Sequence, residues 1–469
     1  MPLERKNKNM VDTIHQFIKE VNNVIWGWPM LIILVGTHIF LTFKLRFIQK
    51  YVFKAIKLAV TKDKDAPGDV SQFGALSTAL AATLGTGNIV GVAMAIYLGG
   101  PGAIFWLWIT GFFAIATKYA EGLLAVKYRV RTSDGKMLGG PMYALERGLK
   151  MKWLGIVFAV CFSIAAFGTG NLVQVNAISM MMETQFHVNV HVTGILLFII
   201  TFAVIVGGIK SISKLSVRIV PTYAVIFILM NLFVIGMNIT YVPEALVLIF
   251  KSAFTPRAAG GGFVASTILM AMRYGVARGL VSNESGLGSA PLAAAAATTR
   301  NPVRQALVSM SAVFLDTIIM CFLTGLMLVT TILKNPAGYD GLEGGQFVSY
   351  AYNQIPIIGP IILTIGIFLF AWTTVLGWSY YAERTMEYLF GKKCILPFRI
   401  FFCIIAYVGS VIPLAFVWDA ADLFNAFMAV PNLLSLILLS GVLVSETRKY
   451  LWNDNLDAIS TDELPSINN

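Results

Sequence analysis

Apolar residues run along this chain in stretches of about 20, enough to cross roughly 30 Å of hydrocarbon at about 1.5 Å per helical residue. Polar and basic residues collect between them. The pattern predicts spans at 24–43, 72–98, 103–126, 153–182, 192–209, 215–240, 262–298, 303–333, 357–389, 396–417 and 421–446. Two of these stretches are interrupted. The first break reads Ala81-Ala82-Thr83-Leu84-Gly85-Thr86-Gly87-Asn88-Ile89-Val90-Gly91, and the second runs from Gly275 to Ser289. Backbone that leaves the helix at membrane depth needs protein or a water-filled cavity to satisfy its N–H and C=O groups.

An all-α integral membrane protein of about 11 transmembrane helices is therefore expected. With the first span set aside as peripheral, each remaining group of five opens on an interrupted span. The two interrupted spans start from opposite faces, which is a 5+5 inverted repeat with two discontinuous helices. The expected division is 1–70 (external start, peripheral span, basic connector), 71–240 (first repeat), 241–450 (inverted second repeat) and 451–469 (an unpacked polar tail).

Composition agrees. Of 469 residues, 57% are hydrophobic and only 13% charged, against about 25% charged in soluble domains. The net charge of +11 does not indicate a nucleic-acid partner, because it sits in alternate connectors. Lys44, Arg46, Lys50, Lys54, Lys57, Lys62 and Lys64 share one, and Lys127, Arg129, Arg131, Lys136, Arg147, Lys150 and Lys152 another. Lys210/Lys214/Arg218, Arg300/Arg304, Arg384/Lys392/Lys393/Arg399 and Arg448/Lys449 follow, while the opposite loops hold Lys251, Arg257 and Lys334. The positive-inside rule then puts the amino terminus outside and the tail in the cytoplasm of a cell (inner) membrane protein. Arg5, Lys6 and Lys8 run against that assignment.

Enzyme chemistry finds no foothold. Gly85-x-Gly87 lacks the strand and third glycine of a nucleotide fold. Ser211-Ile212-Ser213-Lys214 matches a nucleophile pattern without companions and reads as chance. His15, His38, His187 and His191 are scattered, and Cys161, Cys321, Cys394 and Cys403 show no paired spacing. No cofactor is expected. An intramembrane enzyme and a channel are both poorer readings than a carrier.

The first break has chemistry of its own. Gly85 and Gly87 let the chain turn out of helix. Carbonyls of Ala81, Thr83 and Leu84 would end one half-helix facing a cation. N–H groups of Thr86, Gly87 and Asn88 would start the next facing a carboxylate. An amino-acid zwitterion with sodium fits both poles, although small residues there would also serve close helix packing. In the second break Arg278, Asn283 and Glu284 are too polar for lipid. Asp316 lies mid-span, either in ion coupling or paired with Arg278 or Arg273. Lys118 and Glu121, one turn apart, form either an inner gate or an inert surface pair. Asn171 and Gln174 beside Phe167-Gly168-Thr169-Gly170 suit a ligand-facing wall. Trp372-Thr373-Thr374 offers hydroxyls to a hard cation or to its own helix carbonyls.

Residues 80–93 resemble the signature of the alanine or glycine:cation symporter family, as do Gly99–Ala103, Gly139–Tyr143, Ser282–Pro291 and Val375–Tyr381. The resemblance runs from about Trp26 to Lys449 and is similar to the leucine-transporter fold. It implies that Thr86 and Gly87 hold a substrate carboxylate and that the Thr83 carbonyl meets its ammonium, with Asn88 alongside. Ala81, Leu84, Phe370, Thr373 and Thr374 would bind sodium. Phe167, Gly168 and Trp372 would limit the pocket, with Asn171 and Gln174 near, and Gly275 and Gly279 would unwind the second helix. Asp316, Glu284, Lys118 and Glu121 remain candidates for coupling or gating. The implied activity is sodium-coupled symport of alanine or glycine by a monomer. A proton-coupled carrier, or one for another neutral amino acid such as glutamine or serine, is the alternative. Gly74 stands where family members often carry glutamine, which bears on pocket size.

Overall fold

The computed structural model describes residues 15–61, 63, 66–256, 266–342, 344–412, 415–462 and 464–467, with backbone alone at 415–419. Arg5, Lys6, Lys8, Lys62, Lys64 and Arg257, named above for their charge, lie outside the described residues. Helices dominate. In chain order they are α1 (Trp28–Lys44), α2 (Val52–Ala59), α3 (Gln72–Thr83), α4 (Val90–Gly99), α5 (Gly102–Lys127) and α6 (Lys152–Phe186). There follow α7 (Val190–Ile205), α8 (Gly208–Met237), α9 (Val242–Phe254), α10 (Ile268–Asn283) and α11 (Pro302–Lys334). The last are α12 (Gly344–Tyr352), α13 (Ile358–Phe390), α14 (Ile395–Val411), α15 (Ala415–Leu438) and α16 (Ser440–Thr447).

Among the described residues seven helices are long and apolar enough to cross a membrane, and an eighth crossing comes from His15–Ile25 with α1, bent by 43°. The interrupted pieces α3, α4 and α10 fall short, as does α7. Broad apolar faces point away from the bundle, among them Ile195, Leu196 and Ile199 on α7 and Val225, Leu229 and Phe233 on α8. Continuous exposed apolar surface on this scale belongs against lipid, and the chain is a multi-pass membrane protein.

Side-chain caps set the helix starts that matter here. Ser71 Oγ accepts the Gly74 N–H at 3.0 Å to begin α3, and Thr267 Oγ1 accepts from Met270 at 3.1 Å to begin α10. Asn301 Oδ1 accepts from Arg304 at 3.1 Å, ahead of Pro302 at the first position of α11. Each satisfies a donor that the first helical turn leaves open.

Four expectations need correcting. α8 starts at Gly208 rather than 215, so Ser211–Lys214 is helical and not a loop. Its Lys210, Lys214 and Arg218 are exposed on one face at four-residue spacing, where long basic stems reach water without ending the helix. The stretches 241–261 and 334–356, which fall between predicted spans, contain α9 and α12. The tail is packed, not loose. Asn301 Nδ2 donates to the carbonyls of Leu456 (2.8 Å) and Ala458 (2.9 Å), and Lys127 reaches Asp462 at 2.8 Å. Finally, Gly275 and Gly279 lie inside continuous α10. The helix survives them because they are contact points: a Cβ on Gly275 would stand 2.3 Å from the Ala103 carbonyl of α5, and one on Gly279 3.6 Å from Leu107.

The end of the bundle that carries the basic connectors is shut. Val70, just before α3, bridges in parallel to Ala297, and Thr298 N–H donates to the Val70 carbonyl at 2.7 Å. Arg129 clamps the junction, donating to the carbonyls of Ala295 (3.1 Å), Ala297 (2.9 Å) and Pro67 (3.1 Å). Both segments so joined lead directly into the two breaks.

Candidate functional site

α3 ends at Thr83, and α4 begins at Val90 after a single tight turn, Thr86–Asn88. Between them Gly85 is extended, and its N–H donates to Asn88 Oδ1 at 3.3 Å. The first amides of a helical turn have no partner within it, so Thr86 and Gly87 offer theirs to whatever lies beside them. What lies beside them is a cavity of about 410 Å³, within the usual range for small-molecule sites. It extends from this turn toward the sparsely charged end of the bundle. Thr83, Thr86, Gly87, Gln174, Glu284 and Thr374 all line it.

Four oxygens converge around Thr374, which lines the cavity. Thr374 Oγ1 lies 3.2 Å from the Ala81 carbonyl and 2.9 Å from that of Phe370. Thr373 Oγ1 lies 3.1 Å from the same Phe370 carbonyl. Gly85 faces this group: a Cβ there would come within 2.7 Å of Thr374 Oγ1 and 3.4 Å of Gln174 Oε1. Only glycine leaves the oxygens accessible. Thr86 Oγ1 donates to Gln174 Oε1 at 3.2 Å, tying the turn to α6 where a wider π turn, Gly168–Leu172, interrupts its regular winding.

The second break lies past the end of α10, not at Gly275. Glu284, Gly286 and Gly288 all have positive φ (54°, 98° and 79°), and regular helix resumes only as one turn, Pro291–Ala294. Two carboxylates hold this segment. Glu121 Oε1 accepts the N–H groups of Gly286 (2.9 Å) and Gly288 (3.0 Å) and Asn432 Nδ2 (2.7 Å). Glu284 accepts from Trp378 Nε1 at 2.8 Å and Ser289 Oγ at 2.5 Å. Lys118 and Glu121 are 1% and 2% exposed, 4.0 Å apart, so the surface-pair reading fails. Asp316 is not paired with either arginine. It accepts from Asn88 Nδ2 (2.5 Å), Ser282 Oγ (2.8 Å) and Thr317 Oγ1 (2.7 Å), while Arg273 bonds Asn23 and Arg278 faces the cavity.

Several expected pocket residues sit elsewhere. Phe167 packs among Phe398, Phe401 and Phe402. Asn171 donates to the Phe402 carbonyl at 2.8 Å, and Trp372 Nε1 to Thr201 Oγ1 at 3.1 Å. Gly168 abuts Ala421, where a Cβ would meet its Cβ at 2.7 Å. Gly74 lies at the start of α3 against Ser213, away from the cavity, so it does not set pocket size. In their place Trp378, Met94, Val281, Val173 and Asp422 complete the wall. Trp378 stacks on Phe162 with ring centres 5.3 Å apart, and Gly170 makes room for it, since a Cβ there would lie 2.4 Å from its own. Helical periodicity would have found Trp378, because Phe370, Thr374 and Trp378 fall at four-residue steps on one face.

The sequence profile of the sodium:alanine symporter family matches residues 11–462. The chain is 50% identical over 440 residues to the sodium/alanine symporter AgcS of Methanococcus maripaludis, covering 92% of this chain and 96% of that one. It is 35% identical over 447 residues to the probable sodium/glutamine symporter GlnT of Bacillus subtilis, covering 94% and 91%. The fold is similar to that of MhsT, solved in complex with L-phenylalanine, at a TM-score of 0.58 and 14% identity over 83% of this chain and 95% of that one. Matched along nearly its whole length, with a relative at half identity, the chain belongs to the sodium:alanine symporter family.

Proposed function

We propose that this protein is a sodium-coupled symporter of small neutral amino acids, alanine and glycine first, working by alternating access. The observation that carries the reading is the first break. There Thr86 and Gly87, at the start of the turn, and Thr374 line one cavity, and Thr374 Oγ1 lies 3.2 Å from the Ala81 carbonyl and 2.9 Å from that of Phe370. The amides suit a carboxylate and the oxygens suit sodium. Sodium bound beside Thr374 would order the turn that binds the amino acid, and by linkage the amino acid strengthens sodium binding equally. The family relation to a sodium/alanine symporter supports the pair of substrates, and the probable glutamine carrier marks the breadth of neutral side chains to test.

In this reading the chain crosses the membrane eleven times in one peripheral span and two inverted groups of five, as a monomer. The basic, shut end faces the cytoplasm of a cell membrane protein whose amino terminus lies outside. The cavity then faces outward, and release inward requires the Val70–Ala297 bridge and the Arg129 clamp to part. Alanine uptake into proteoliposomes, with and without an inward sodium gradient, tests it: accumulation only with the gradient is expected, and equal uptake in both rejects the coupling.

A further inference from the structure

Away from the two breaks, an open groove of about 710 Å³ lies where α6 begins and α13 ends. Basic connectors border it, with Lys150 and Lys152 at the start of α6 and Lys392 and Lys393 just past the end of α13. At this end the lining is polar. Arg147, half-buried in the π turn Ala144–Gly148, makes no hydrogen bond or ion pair among the described residues. Lys152, the first residue of α6, is exposed and lies 3.9 Å from Glu146. Glu146 is the acidic group that faces both cations, and its Oε2 accepts from Tyr388 Oη at 2.7 Å. Two cations against one carboxylate leave the groove net positive. Farther along α6 the lining turns apolar. Ile156 and Val160 follow Lys152 at four-residue steps on one helix face, and both are exposed, at 41% and 42%. Phe390 of α13, also exposed, lines the other bank. From Lys152 to Val160 the helix rises about 12 Å, enough to pass from a charged boundary into hydrocarbon.

We propose that this groove binds one anionic phospholipid, its phosphate held between Arg147 and Lys152 and an acyl chain laid along Ile156 and Val160. Arg147 brings an uncommitted guanidinium, whose fork matches two phosphate oxygens at once. Lys152 adds a compact charge on a stem long enough to reach the boundary. α6 starts at Lys152 with no side-chain cap, so its first amides and its dipole favour an anion at the same place. A soluble phosphate would use only the polar end, whereas the exposed side chains of Ile156 and Val160 beyond it suit hydrocarbon. Basic pockets between helices at a membrane boundary are where anionic headgroups are recognised. A zwitterionic lipid brings its own ammonium against Arg147 and Lys152 and loses the advantage. Tyr143 and Tyr388 meet edge to face, ring centres 5.2 Å apart, and close the back of the groove. The two helices that form its banks also carry Gln174 and Thr374 to the central cavity, so the lipid braces that cavity from the membrane side.

Native mass spectrometry of the purified, delipidated protein tests the site, with dioleoyl phosphatidylglycerol and dioleoyl phosphatidylcholine as probes. Wild type is expected to retain one phosphatidylglycerol at a half-saturating concentration about tenfold or more below that for phosphatidylcholine. In the double variant Arg147→Ala/Lys152→Ala the difference should shrink to about threefold or less. Val160→Trp, at an exposed position, keeps both cations and fills the apolar floor. It should abolish the preference as well, and it covers the case that the double variant does not fold. The phosphate without chains, sn-glycerol 3-phosphate, should leave the bound lipid in place. Equal retention of the two lipids by wild type, an undiminished preference in either variant, or displacement by sn-glycerol 3-phosphate, which would mark a soluble-phosphate site, overturns the proposal. None of these readouts involves transport, so the result is separate from that of the symport test.

Discussion

At the first break the backbone turns within one short segment, is braced by Asn88 and by the Thr86–Gln174 hydrogen bond, and presents Gly85, Thr86 and Gly87 to a cavity. At the second, Glu121 consumes the amides of Gly286 and Gly288, Glu284 is tied to Trp378 and Ser289, and Asn283 Oδ1 accepts from Ser285 N–H at 2.9 Å. Two interruptions that look alike in the sequence thus do different jobs. One leaves its turn beside a cavity; the other has its main-chain groups answered by the protein itself. Open amides at membrane depth are tolerable only beside a cavity that supplies a partner, which is the case at the first break alone.

This contrast predicts that damage at the second break shows as lost stability, and damage at the first as lost transport. The largest effect is expected from Glu121→Ala, which strands two amides and the Lys118 ammonium. Breaking a buried pair of this kind costs about 3–5 kcal/mol, so the thermal midpoint of the detergent-solubilised protein should drop sharply. An unchanged midpoint would erase the distinction. Gly85→Ala should do the reverse: with its Cβ 2.7 Å from Thr374 Oγ1, sodium-dependent uptake should fall at least tenfold, or about 1.4 kcal/mol, while the midpoint hardly moves. The smallest effect belongs to Gly279→Ala. Its Cβ would sit at an ordinary 3.6 Å from Leu107 inside a continuous helix, where alanine is favoured over glycine by up to about 1 kcal/mol. Uptake should be unchanged; a large loss would mean that α10 must unwind at that residue during the cycle.

The first break was legible in the sequence because Gly85-Thr86-Gly87 has no competing use there. The second was drawn too wide, starting at Gly275 instead of after Asn283, because glycine has two uses in membrane helices. Gly275 and Gly279 bring α10 against α5, and the true exit from helix lies in the polar run Asn283-Glu284-Ser285 with Gly286 and Gly288 behind it. A run of three polar residues ahead of spaced glycines was the better signal, since left-handed backbone favours glycine. Thr374 was legible for its hydroxyl, but Trp378 was passed over for Trp372, which projects from another face of α13 toward α7. Asp316 was legible as buried and partnered, because hydrocarbon excludes a lone carboxylate. Thr317 is its neighbour in the chain, but its partners Asn88 and Ser282 were not legible, because they lie 228 and 34 residues away and only the tertiary fold joins them.

Asn432, far along in α15, donates both to Glu121 and to the Gly286 carbonyl at 2.9 Å. The second wall of the cavity therefore cannot be completed until nearly the whole polypeptide has left the ribosome and its final long helix has inserted. Until then the Gly286 carbonyl has no such donor in the bilayer, and nascent chains stopped before α15 should be the ones that membrane quality control removes.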